Sequence, residues 1–307
     1  MGLIKRGIVG RRFGLSFDNA QAGGILGSVE GGAIKADPVK QPLGGHARKI
    51  MSITNPTFDP IKVQAGMAMS QHFWSWIEES WKGNLQRRSG AIMHLDLDAN
   101  IVHTMNFYEA LITETGIPAA DPNAKEPGFM TVTFHPERIE HDLKTSSKWS
   151  SPYDKMTQSR FMPSNFRLTL DGLGKIPASK VEAMVVKQPV KPIPTGPNTH
   201  PYLEPVGFEL PDLVFTVPIG DAEKLFQWHD EFIIKGKNGA DNEKTGSLVF
   251  LDTTLREELL TISFEGVGIK SLVVSKSQPI GSTEPQTVRV ECYMEAIALK
   301  YHGAGGA

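Results

Sequence analysis

The sequence predicts a mainly β fold, with two tandem domains, each a β-sandwich or barrel carrying one amphipathic helix. Three patterns lead there. Short segments alternate apolar and polar residues, as half-buried strands do. Each half holds one stripe of large side chains at helical spacing. The second half also repeats landmarks of the first in the same order, at an offset of about 150 residues.

The repeat is read by laying the second half over the first. RRFGLSFDN (from Arg11) faces SNFRLTLDG (from Ser164), and Val29-Glu30 faces Val181-Glu182. VKQP occurs at Val39–Pro42 and again at Val186–Pro189. Trp76 falls on Trp228, and GAIMHLD (from Gly90) on GSLVFLD (from Gly246). MNFYEAL (from Met105) faces ISFEGVG (from Ile262), and VTFHPERIEH (from Val132) faces VECYMEAIAL (from Val290). The offsets run 153, 152, 147, 152, 156, 157 and 158, an order that chance does not produce. The predicted organisation is a first domain over 1–144 with a basic N-terminal arm, a Ser/Pro/Lys-rich linker over 145–163, and a second domain over 164–307 with a disordered tail.

Each element follows in chain order. FRLTLDG is a strand ending in an Asp-Gly turn. The VKQP stretch is extended, and a Pro- and Gly-rich loop follows, long in the second copy from Lys191 to Asp212. One helix per copy comes next. Ser70 is the expected N-cap of the first, with Phe73, Trp76, Ile77 and Trp81 as its stripe. Asp221 is the expected N-cap of the second, with Leu225, Trp228, His229 and Phe232 as its stripe. Gly83 and Gly236 are the expected stops. A hairpin turning at Asp98-Ala99-Asn100, or around Thr253, precedes the closing strands.

Composition excludes several classes. A 307-residue chain with 40% hydrophobic and 21% charged residues supports a folded core. A formal net charge of −2 does not suit a protein that neutralises phosphates. The single cysteine, Cys292, leaves no intrachain disulfide and reads as a buried thiol. No apolar run is long enough for a membrane helix, and the basic start lacks the pattern of a secretion signal.

Local chemistry is sparse. HLDLDAN places His94, Asp96 and Asp98 on one side of a strand, yet a calcium loop needs Gly and Glu where Ile101 and Phe107 stand. An Asx turn is the better reading. His135 and His141 read as surface residues. GGILGSVEGG lacks a phosphate-cradling pattern, and no nucleophile elbow occurs. The expectation is no enzyme, no catalytic residue, no metal and no cofactor.

In this order the landmarks resemble the tube proteins of contractile phage tails and related injection systems. The residues that carry the resemblance are Asp171-Gly172, Val181-Glu182, Phe226-Gln227-Trp228, Leu248 to Asp252 and Ser263-Phe264, with Arg87-Arg88 through Asp96 and Asn106-Phe107 in the first copy. The duplication departs from the usual single-copy subunit. The resemblance implies a ring-forming tube subunit lining a channel for DNA or effector passage. It implies self-association, as a trimer with pseudo-sixfold symmetry or a hexamer, and sheath, baseplate or terminator partners. No membrane contact is implied. The place is the bacterial cytoplasm during assembly and then the tail or injection particle. Other readings are a baseplate hub or tail terminator and, more remotely, a duplicated carbohydrate-binding or hydrolase module. Expected structural anchors are Trp76, Trp228, Phe73, Leu225, Phe107 and Phe264, and the expected inter-ring loop carries Pro192, Pro194, Gly196, Pro201 and Tyr202.

Overall fold

A computed structural model of the chain describes residues 12–17, 21–42, 49–143, 147–150, 162–193, 200–275 and 286–303. The basic arm, the middle of the expected linker and the last residues of the tail lie outside these.

The first half runs β1 (Arg12–Phe17), β2 (Gln21–Gly31), β3 (Ile34–Lys35), β4 (Pro38–Pro42), β5 (Lys49–Ile53), β6 (Thr57–Phe58), β7 (Ile61–Met69), α1 (Gln71–Trp81), β8 (Arg88–Leu95), β9 (Ile101–Ile117), β10 (Met130–His135) and β11 (Arg138–Asp142). The second runs β12 (Phe166–Leu170), β13 (Gly174–Ile176), β14 (Lys180–Val181), β15 (Met184–Lys187), β16 (Val190–Ile193), β17 (Tyr202–Pro205), β18 (Leu213–Pro218), α2 (Glu223–His229), β19 (Lys244–Leu251), β20 (Glu258–Val274), β21 (Thr287–Tyr293) and β22 (Ala296–Tyr301). The chain is mostly strand, as its alternation predicts.

In the first half β1 pairs with β2 and β8, β2 with β7, β7 with β10, and both β10 and β8 with β9. That circuit closes a six-stranded antiparallel barrel. In the second half β12, β19, β20, β21 and β18 repeat it, with β13 and β14 together standing where β2 stands. Pro177 lies between those two short strands, where its missing N–H ends ladder pairing. The registers repeat as well. Leu15 faces Ile92 and Phe17 faces Gly90, while Leu168 faces Leu248 and Leu170 faces Gly246. Ile139 faces Phe107, and Ile297 faces Phe264.

Backbone geometry repeats too. Ala99 (φ 62°) and Leu255 (φ 60°) sit at matching hairpin turns, and Glu109 (φ 49°) and Gly266 (φ 60°) at matching kinks in the two long strands. A side chain on Gly90 would collide with the Ser16 carbonyl, and one on Gly246 with that of Thr169. These two glycines allow a close approach of backbones that any other residue blocks.

Both helices carry an apolar stripe into the core. Trp76 is 1% exposed and packs edge-on to Phe17, 5.7 Å between ring centres, with its indole N–H donating to the Gln86 carbonyl at 2.8 Å. Phe73, Phe107, Phe264, Leu225 and Trp228 are buried as well. Ser70 caps α1 by accepting from the Phe73 N–H at 3.3 Å. Gly83 and Gly236, both at positive φ, follow the helical segments.

Three expectations need correction. Asp221 does not cap α2. It ends a 3-10 turn over Ile219–Asp221, and Ala222 occupies the cap position without a side-chain bond. His229 is not in the buried stripe, which is Leu225, Trp228 and Phe232, and the chain continues past α2 as a π-turn over Asp230–Ile234. The two VKQP stretches are not equivalent. Pro38 faces Ile53 and Val190 faces Pro205, so these hairpins superimpose at an offset of 152, whereas the VKQP copies lie 147 apart. In position, the counterpart of Val186-Lys187 is Ile34-Lys35.

Candidate assembly surfaces

Between β2 and β7, and again between β14 and β18, the chain leaves the barrel as an arm. The first arm is β3 to β6, in which β3 pairs with β6 and β4 with β5. The second is β15 to β17, with Lys187 bridging Glu209 as Lys35 pairs with Thr57. The two have the same plan and opposite surroundings.

The second arm is docked. β15 pairs antiparallel with the end of β9, Met184 facing Ile117, Val185 facing Gly116, Val186 facing Thr115 and Lys187 facing Glu114. Strand addition supplies backbone partners to an otherwise free edge. Gln188 then reaches the helix of the first half. Its side-chain N–H donates to the Ser80 carbonyl at 2.7 Å, its side-chain oxygen accepts from the Ser80 hydroxyl at 2.5 Å, and its backbone N–H donates to the Thr113 carbonyl. Gln188 and Ser80 are each 1% exposed, so each satisfies the other where water does not reach.

The β16–β17 hairpin of this arm is held by charge. Arg87 lies over the Tyr202 ring at 4.2 Å and donates to the Leu203 carbonyl. Glu137 accepts from both the Leu203 N–H at 2.9 Å and Arg87 at 3.2 Å. A planar guanidinium that bonds a carboxylate and stacks on a ring is a fit that Lys does not reproduce. At the far end of the junction, Tyr301 stacks on Trp74 at 4.5 Å, donates its hydroxyl to the Met67 carbonyl and its N–H to Glu78. The two halves thus share one contiguous core.

Part of the expected inter-ring loop lies among the described residues. Pro192 lies in β16 and Tyr202 in β17, Pro201 leads into β17, and the described strands of this hairpin meet the first half where Arg87 lies over the Tyr202 ring. Pro194 and Gly196 lie outside the described residues. Sequence reasoning picked out Arg87 and Gln188 only as landmarks of the repeat and resemblance, and missed Ser80, Glu137 and Leu203. Only the Pro-rich composition of the segment hinted at an extended arm.

Asp96 and Asp252 turn out to be matching hairpin caps. Asp96 accepts from the N–H groups of Asp98 and Asn100, and Asp252 from those of Arg256 and Glu257. The Asn100 side chain holds the Asp96 carboxyl below its ordinary range, and the Thr254 hydroxyl brings Asp252 down to about 2. His94 stands apart from this turn. It packs on Phe13 and His103, and His103 meets His141 at 3.0 Å. Burial lowers the pKa of His94 and His103, and neighbouring histidines add to it. Among the described residues no group of three or more His, Cys, Asp or Glu is arranged to hold a metal ion. No described helix is long and apolar enough to cross a membrane.

With two matched arms and barrels in view, the comparison with known proteins is direct. Residues 10–140 match the family of T4-like virus tail tube protein gp19. Among solved structures, the chain is similar to three proteins of contractile particles or the Hcp group. One comes from the sheath–tube complex of an extracellular contractile injection system, at 15% identity and TM-score 0.36, covering 44% of this chain and 88% of that one. A second is from the tube-terminating cap of the anti-feeding prophage, at 12% identity and TM-score 0.39, covering 52% and 99%. A third is Hcp1 from Flavobacterium johnsoniae, at 16% identity and TM-score 0.27, covering 46% and 95%. No curated protein matches.

Proposed function

We propose that this chain is a structural subunit of the tail tube, or of a tube-like part, of a contractile phage tail or injection system. The observation that carries the reading is the tail tube family match over residues 10–140. Its support in the fold is a barrel of the same pairings and registers in each half, which we read as a tandem duplication.

The role needs no reacting group. The buried stripes, the paired caps at Asp96 and Asp252 and the docked arm all serve rigidity and contact, and no catalytic role is assigned to any residue. Two barrels side by side in one chain form a third of a ring of six, so a trimer with pseudo-sixfold symmetry is the favoured assembly over a hexamer of stacked domains. Sheath, baseplate or terminator proteins are the partners of the outer surface and ends, and DNA or effector cargo passes the lumen.

Negative-stain images of the purified protein test this reading. Rings or tubes with a lumen support it, and class averages give three or six chains per ring. A monodisperse monomer at the highest soluble concentration overturns it.

A further inference from the structure

The junction inside the chain has two sides. The first half offers an edge, the end of β9, and a helix flank at Trp74. The second half offers an arm, β15 to β17, and a closing strand ending at Tyr301. Both kinds of surface occur again in the chain, each with its other role unfilled.

The registers locate them. β20 pairs with β21 as β9 pairs with β10, with a bulge at the same place, so Ser271, Leu272, Val273 and Val274 stand where Glu114, Thr115, Gly116 and Ile117 stand. Ile117 is 1% exposed beneath β15, whereas Val273 is 53% and Val274 39% exposed. No strand lies on that edge of β20 among the described residues. On the helix, Phe226 is the counterpart of Trp74 at the offset of 152, and it is exposed where Trp74 is buried.

The complementary side is bare as well. Ile34 corresponds to Val186 and Met51 to Leu203. Val186 and Leu203 are buried, while Ile34 is 44% and Met51 55% exposed. Leu143, one residue past β11, corresponds to Tyr301 and is exposed. The outer edge of β3 carries no strand among the described residues.

We infer that the first arm and Leu143 of one chain seat on the β20 edge and Phe226 of a second copy, repeating between chains the contact that the two halves make within one. This rests on the tube reading and names its interface. The predicted pairing follows from β15 on β9: Gly32 faces Val274, Ala33 faces Val273, Ile34 faces Leu272 and Lys35 faces Ser271, each pair across two copies. The occupant is fixed as a second copy because the docked arm is a cast of the free one. The contact is head-to-tail, with unlike surfaces meeting, so each chain both gives and receives an arm. Such a contact closes into a ring when its rotation divides a full turn. It also covers two exposed strand edges at once, which is the physical reason an assembling sheet protein leaves them open.

Paired cysteines test it on the full chain, whose only natural thiol, Cys292, is buried. Ala33→Cys with Val273→Cys is expected to oxidise into covalent oligomers that vanish on reduction. Ala33→Cys with Leu255→Cys, a pair that the register keeps apart, is the control. A second variant, Val273→Lys, changes only an exposed side chain and is expected to stay monomeric in sedimentation with an unchanged melting temperature. Rings in images together with cross-linking no greater than the control overturn this interface and leave the tube reading standing. Rings formed by Val273→Lys at the wild-type concentration do the same. A wild-type chain that never assembles, together with a double-cysteine chain that never cross-links, overturns both.

Discussion

The two barrels share their pairings and differ in how firmly each is made. In the first, β2 runs eleven residues along β1 and β7, and a capped helix buries Phe73, Trp76, Ile77 and Trp81, with Trp74 covered by Tyr301 of the second half. In the second, the equivalent strand is broken at Pro177, the helix lasts seven residues without a side-chain cap, and it buries only Leu225 and Trp228. Topology therefore survives a loss of local support. What both halves keep is the strand register and a few backbone positions, and these define the fold more than the residues that fill it.

The largest effect that tests this comparison is removal of the tryptophans. Trp76→Ala removes a fully buried ring whose N–H is bonded, and an expected loss of about 4 kcal/mol is measured by urea unfolding. Trp228→Ala is expected to lose about 3 kcal/mol, since its ring is slightly exposed and its indole N–H has no partner to lose. Equal losses, or a larger one at Trp228, break the ranking of the halves.

Glycines at matching positions sharpen it next. Gly90→Ala and Gly246→Ala both push a methyl against a strand carbonyl, and each is expected to cost about 2 kcal/mol, in the range of overpacking. A harmless change at one alone shows that the barrels do not share this close approach. Ser70→Ala removes the one side-chain cap of the pair and is expected to lower stability by about 1 kcal/mol. No such loss is expected at Ala222.

Protonation separates the halves as well. His94 and His103 occupy places held by Phe250 and Leu260 in the second barrel. Their pKa values are lowered by burial first, so the unfolded chain binds more protons than the folded one in mild acid. Their contribution is held in full above the unfolded value of about 6.5 and is lost as pH falls from there through the lowered folded values. Stability measured against pH is expected to fall over that window, and His94→Phe with His103→Leu is expected to flatten the fall. The smallest effect is at the turns. Leu255→Gly relieves a left-handed backbone and is expected to gain no more than about 1 kcal/mol, as is Ala99→Gly.

Much of this was legible in sequence because it is local. Period-two alternation located the barrel strands, Ser70 and the aromatic spacing located α1, and Asp96 announced its turn. The registers of the two halves follow from matched pairs such as Gly90 with Gly246. The misread VKQP pair shows the limit. Four identical residues outweighed a pairing geometry that no linear comparison contains. The α2 cap failed because a 3-10 turn over Ile219–Asp221 takes up Asp221 before the helix begins. The junction of Gln188 with Ser80 joins residues 108 apart in sequence. Each looks ordinary in its own stretch, and only the docking of β15 makes the pair buried and mutually bonded.

The docking of β15 on β9 also sets how the protein responds to dilution. Because both surfaces belong to one chain, that seam forms in a unimolecular step at an effective concentration in the millimolar range for short flexible tethers. It persists at any total concentration, while an equivalent seam between chains obeys mass action. An assembly built from alternating tethered and untethered seams comes apart into whole chains, never into single barrels, and its growth is first order in fewer colliding bodies than the number of barrels it contains.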